Sequence, residues 1–157
     1  MKNDTVIIKK ANISHIPEIV KLRRFMFESM GTMDIEKLDR MVEGSRIFME
    51  EKIPKNEYIG WIVQNNSDEI IGTLGLVIDR HPPTPANLSG KIGYIMNLAV
   101  YPYYQKQGIA TRLLKICFDW LKEQNIVLVS LHASKEGKSL YEKLGFTDSN
   151  EMRFKFT

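Results

Sequence analysis

Asn97-Leu98-Ala99-Val100-Tyr101-Pro102-Tyr103-Tyr104-Gln105-Lys106-Gln107-Gly108-Ile109-Ala110-Thr111 is the stretch on which the reading of the fold turns. The run before it, KIGYIMNLAV (91–100), has strand composition and is stopped by Pro102. After it, Ile109, Leu113, Ile116, Cys117 and Trp120 share one face of a helix over about 108–124. A strand therefore runs out, turns, and feeds the N-terminus of a long helix. Small residues stand at 108 and 110, where larger side chains would keep a ligand away from the backbone. Free N–H groups in the first helical turn and the helix dipole favour an anion there. Gln105, Lys106, Gln107 and Thr111 can add donors. Read from its residues alone, the loop is either a phosphate cradle or a tight turn that uses Gly and Ala. The nucleotide pattern G-x-x-x-x-G-K-[ST] and the dinucleotide pattern G-x-G-x-x-G are both missing from the chain.

Outward from this stretch the chain alternates. Residues 5–10 predict an edge strand. Ser14 can cap a helix to about Ser29, with Ile16, Ile19, Leu22 and Met26 on one face, and Asp34 can cap a second. YIGWIVQ (58–64) and EIIGTLGLVI (69–78), joined by Asn65-Asn66-Ser67-Asp68, predict an antiparallel hairpin. DRHPPTPANLSG (79–90) predicts a loop. Downstream, IVLVSLHA (126–133) predicts a buried strand and KSLYEKL (138–144) a short helix ended by Gly145. Short strands at 146–148 and 152–156 are expected to close the chain. Helices interrupting a mixed sheet give an α/β (α+β) class. No linker divides the chain, so residues 1–157 are expected to form one domain.

Composition narrows the function. Apolar residues are 43% and charged residues 26%, which excludes a disordered chain. A single cysteine, Cys117, excludes an internal disulfide and any multi-cysteine metal site, and fits a reducing compartment. The net charge of +3 and the lack of a basic stripe argue against a nucleic-acid partner. No run approaches 18 apolar residues, and MKNDTVIIKK lacks the apolar core of a signal peptide, so a cytoplasmic, membrane-free protein is expected.

A second segment, Ser139-Leu140-Tyr141-Glu142-Lys143-Leu144-Gly145-Phe146, reads by itself as a short amphipathic helix. Together with the first it resembles the GNAT superfamily of N-acetyltransferases. Gln105-x-x-Gly108-x-Ala110 matches that family's [Arg/Gln]-x-x-Gly-x-[Gly/Ala] loop, and Leu140-Tyr141-x-x-x-Gly145-Phe146 its later signature. The order of elements agrees over nearly the whole chain. HPPTP (81–85), LHAS (131–134) and NEM (150–152) resemble one bacterial branch of the family.

The resemblance implies a mostly antiparallel sheet of about 6–7 strands, flanked by about four helices and splayed between the 91–100 and 126–133 strands. It implies acetyl-CoA as co-substrate, no metal, and a small-molecule or peptide amine as acceptor, with a homodimer left open. Leu98, Ala99 and Val100 would meet the pantetheine. The amides of Gln107, Gly108, Ile109, Ala110 and Thr111 would hold the pyrophosphate, with Gln105 and Lys106 beside them. Gln105 replaces the arginine of many members. Ser134 stands where many carry an asparagine that contacts CoA.

Tyr141 would be the general acid for the departing thiolate. The base is open: no Glu lies on the 127–133 strand, which leaves His132, His81, a carboxylate (Glu28 or Asp79), Tyr94 or a water relay. The residues between the first two helices, including Phe25, Met26, Phe27, Met30 and Met33, are expected to border the acceptor, as is the 79–90 loop. Cys117, in an apolar helix, is expected to pack rather than react. The alternative function is a non-catalytic acyl-CoA-binding or regulatory module on the same fold.

Overall fold

The apolar hairpin in the middle of the sequence becomes the middle of the sheet. The computed structural model describes residues 5–157. In order, these form β1 (Ile7–Lys10), α1 (Ile16–Ser29), α2 (Ile35–Lys52), β2 (Tyr58–Gln64), β3 (Ile70–Arg80), β4 (Lys91–Val100), α3 (Ile109–Glu123), β5 (Val129–Leu131) and α4 (Lys138–Lys143). Short 3₁₀ turns precede α1 and α3. The sheet order is β1-β2-β3-β4-β5, antiparallel up to β4, with β5 parallel to β4. Residues 1–4, on which the leader-free reading partly rests, lie outside the described residues. No helix among the described residues is long and apolar enough to cross a membrane.

Because strand side chains alternate, the sheet carries a core on each face. Ile59, Trp61 and Val63 of β2 point to the face covered by α3, where Leu113, Leu114, Cys117 and Leu121 are buried with them. Tyr58 and Ile62 point to the other face, against Ile16, Ile19 and Val20 of α1 and Met49 of α2. Full burial of each large aliphatic side chain contributes about 1.5–3 kcal/mol, so the two helical layers clamp β2–β4 rigidly between them. Trp61 and Trp120 meet edge-to-face at 6.3 Å, as core residues. Cys117 is fully buried, and burial pushes its thiol up to about 12, so it packs and does not react.

Capping differs in one place. Asp34 caps α2 as expected, accepting from the Lys37 N–H at 3.1 Å. Ahead of α1, the 3₁₀ turn Ile13–His15 that leads into the helix is capped by Asn12 rather than Ser14. Its side chain accepts from the Ser14 N–H, while Nδ1 of His15 accepts from the Asn12 N–H. His15 is thereby committed to a helix start.

The strand count is a correction. Five strands form among the described residues, not six or seven, because 146–148 and 152–156 adopt no strand pairing. Met152, Phe154 and Phe156 alternate as strand residues do, yet all three lie exposed. Alternation marks a two-faced segment, but a strand also needs a partner edge. β5 offers little edge, since only Val129–Leu131 pairs of the expected 126–133.

Candidate active site

The site begins with an irregularity in β4. Its register with β3 steps from Gly75↔Met96 to Thr73↔Ala99, so Asn97 and Leu98 together oppose Leu74. Asn97 takes a left-handed φ of 56°, which asparagine tolerates better than most residues. Its buried side chain fixes the bulge: Nδ2 donates to the Tyr58 hydroxyl at 3.1 Å, and Oδ1 accepts from Nη1 of Arg23 on α1. Tyr58 reaches Asn97 because residue 75 is glycine, where a Cβ would collide with the phenol.

Beyond the bulge no strand among the described residues pairs with β4 on its far side. It pairs with β5 only over Gly93–Ile95, against Val129–Leu131. The sheet is therefore splayed where expected, and the Leu98–Val100 backbone faces a cavity.

The loop after β4 delivers the helix start. Gly108 caps α3 at φ 79°, and a Cβ built there meets nothing within 4 Å, so the space above it is open. The first α3 bond runs from the Arg112 N–H to the Gly108 carbonyl at 3.1 Å. No backbone carbonyl among the described residues answers the amides of Ile109, Ala110 and Thr111. These donors and the dipole behind them can take an anion.

The side chains of the loop do something else. Gln105 Nε2 donates to the Val100 carbonyl at 2.8 Å, and Gln107 Nε2 donates to the Tyr103 carbonyl at 3.0 Å. Both glutamines tie the loop together, and Gln105 holds it to the end of β4. Lys106 is exposed, at a left-handed φ of 59°.

A cavity of about 750 Å³ joins the open strand to the opposite wall. Leu98, Ala99, Val100 and Gln105 line one side; Ser134 and Tyr141 line the other. Tyr141 packs edge-to-face on Phe146 at 5.7 Å, and burial raises its phenol above the usual tyrosine value. The phenol thus keeps its proton well past neutral pH. Ser134 Oγ accepts from the Gly137 N–H at 3.1 Å, which leaves its own O–H free to donate. Phe25, Met26, Phe27 and Met30 line the cavity, whereas Met33 is exposed outside it.

His132 lies one residue past β5, in the lining, 3.3 Å from Nη1 of Arg153 through its Nδ1. A guanidinium only donates, so it occupies the Nδ1 lone pair and leaves the ring proton on Nε2. In that tautomer the Nδ1 lone pair is shared with the Arg153 guanidinium. The other base candidates from the sequence divide: Tyr94 lines the cavity, but Glu28, Asp79, His81 and the rest of the 79–90 loop do not.

Two residues of the site escaped the sequence reading, Asn97 and Arg23. Asn97 left a signal, a lone polar residue inside an apolar strand, which marks a bulge. Arg23 left none, since it reads as one more cation on an amphipathic helix.

Known proteins share this fold. The family model described as acetyltransferase (GNAT) family matches residues 26–146. A structure of a predicted acetyltransferase with acetyl-CoA from Clostridium acetobutylicum superposes with a TM-score of 0.87 at 31% identity, covering 97% of this chain and 96% of the other. A GCN5-related N-acetyltransferase from Ralstonia eutropha JMP134 gives a TM-score of 0.88 at 26% identity, covering 97% and 99%. N-alpha-acetyltransferase 30 of Schizosaccharomyces pombe is 36% identical over 84 residues, 52% of this chain, and the alignment spans about half (53%) of that curated relative. The family match takes in both the 105–111 loop and the 140–146 segment, and the protein belongs to the GNAT acetyltransferase family.

Proposed function

We propose that residues 1–157 act as one N-acetyltransferase domain, moving the acetyl group of acetyl-CoA to a primary amine by direct attack in a ternary complex. The observation that supports this best is the meeting, in one cavity, of the unpaired β4 edge and the Tyr141 phenol. The chain's own groups fit the co-substrate. Unanswered amides at 109–111 and the open space over Gly108 suit a pyrophosphate, and the Leu98–Val100 edge suits the pantetheine amides. Acetyl-CoA supplies the thioester carbonyl and a thiolate leaving group. The lone buried thiol of Cys117 suits a reducing compartment, the cytoplasm.

Each residue then has a task. A backbone N–H beside the bulge, among Leu98 to Val100, stabilises the negative charge that develops on the carbonyl oxygen. Tyr141 gives its phenolic proton to sulfur as the C–S bond breaks and the C–N bond forms. The proton lost by the amine returns to the phenolate through water in the open cavity. Arg23, Asn97 and Tyr58 hold the bulge that aims the β4 amides.

The test is a thiol-release screen of amines with acetyl-CoA. At least one primary amine is expected to release CoA in step with an N-acetyl product. Acetyl-CoA binding without turnover on any amine would support the regulatory module instead.

His132 separates the routes for the amine proton. With Nδ1 held by Arg153, His132→Gln is expected to lower kcat by less than tenfold. A loss of 100-fold or more, with the acid limb of the pH profile abolished, would make the ring the base.

A further inference from the structure

Arg23 is the unusual cation of this fold. On the same two helices Arg24 binds Glu28 and Asp39, Arg40 binds Glu36, and Arg46 binds Glu43 and Glu50. Arg23, more deeply placed than these, has no carboxylate partner among the described residues. Its Nε donates to Ser45 Oγ at 3.0 Å, its Nη1 donates to Asn97 Oδ1, and its guanidinium lies 5.0 Å over the Phe27 ring. All three partners are neutral. Burial pulls the guanidinium below its ordinary value, and the nearby Tyr58 phenol offsets this only in part.

Nη2 of Arg23 has no protein acceptor among the described residues. Among the described residues no buried polar side-chain atom is left without a partner, so Nη2 is not sealed in the core. Arg23 and Asn97 of the bulge border a smaller cavity of about 270 Å³ beside α2, and both also line the cavity of about 750 Å³. Arg153 adds a second cation to the wall, and the lining contains one carboxylate, the exposed Glu136. A partly buried arginine without a counter-ion costs stability, and an anion brought by a ligand offsets that cost. The guanidinium's fixed, planar donors also suit an oxyanion group better than a point charge would.

We propose that the acceptor is an anionic amine, whose carboxylate or phosphate is held by Arg23 close to the amino group that attacks the thioester. Because Arg23 touches the bulge that presents the β4 edge, anion and amine are separated by only a few bonds. An α-amino acid meets this requirement, and so does a short aminoalkyl phosphate. Phe25, Met26, Phe27 and Met30 favour an apolar side chain on the former. Free polyamines, which carry cations where the anion belongs, are disfavoured.

The inference rests on the proposed acetyl transfer, and matched pairs of amines test it. Leucine is compared with leucinamide, and phosphoethanolamine with ethanolamine, by kcat/KM for thiol release. At least one anionic member is expected to exceed its neutral partner by tenfold or more, about 1.4 kcal/mol. The pair that responds identifies carboxylate or phosphate. Arg23→Gln should bring the ratio near one by raising KM for the anionic amine, and Arg23→Lys should restore part of it. Should Arg23→Gln not fold, competition with the wild-type enzyme decides. 4-Methylpentanoate, or methyl phosphate if the second pair responds, should inhibit competitively against the amine. Neutral amines reacting as well as both anionic partners would overturn the inference and leave acetyl transfer standing. An unchanged ratio in folded Arg23→Gln would also overturn it. No thiol release with any amine would remove the proposed function and this inference together.

Discussion

Tyr141→Phe is expected to lower turnover about 100-fold, the low end of general-acid effects, while acetyl-CoA affinity stays within about threefold. The low end follows from the leaving group, since a thiol of pKa about 8.5 departs fairly well unaided. Affinity is spared because the phenol acts as charge builds on sulfur, and only interactions that strengthen in the transition state change kcat. The ring itself stays, packed on Phe146, so little volume is lost. Burial raises the Tyr141 phenol, so in the parent enzyme its deprotonation falls on the far alkaline side. The alkaline loss of kcat should therefore lie above about pH 10 and be absent from the phenylalanine variant. Initial rates of CoA release, with co-substrate titration of the same variant, check both parts. Equal turnover would show that Tyr141 only packs. Joint loss of rate and affinity would place the phenol in co-substrate positioning.

Gly108→Val is expected to weaken acetyl-CoA binding tenfold or more, about 1.4 kcal/mol. Two effects combine. A branched side chain at φ 79° is strained, and its atoms enter the open space where the phosphates would lie against the amides. Gly108→Asn separates them, since asparagine accepts a left-handed φ but still fills that space. It should fold as the parent does and still bind weakly. Calorimetry with circular dichroism on both variants reads this directly. An unchanged dissociation constant in a folded variant would put the phosphates elsewhere.

The sequence was most legible where local chemistry and long-range packing demand the same thing. The strand, Pro102, Gly108 and the apolar face of α3 had to be read together, and the structure places them as read. The hairpin and the Asp34 cap follow from composition in the same way. Legibility failed where a residue's task depends on something distant in sequence. Gln105 sits in a phosphate-loop pattern, yet its amide turns back to the Val100 carbonyl. Arg23 meets Asn97 across 74 positions of chain, a contact that no spacing rule encodes. The 152–156 alternation promised a strand, but pairing also requires a free edge, and β5 is only three residues long. His132 was singled out for its chemistry, while its availability is decided by Arg153, 21 positions away.

Calorimetric titration of the full chain with acetyl-CoA tests the central claim most directly, namely that the β4 edge and the α3 N-terminus form the co-substrate site. The account predicts saturable binding at one site per chain, retained by Tyr141→Phe and weakened by Gly108→Val. Absence of heat at millimolar acetyl-CoA, at two temperatures and with the protein shown to be folded, would contradict it.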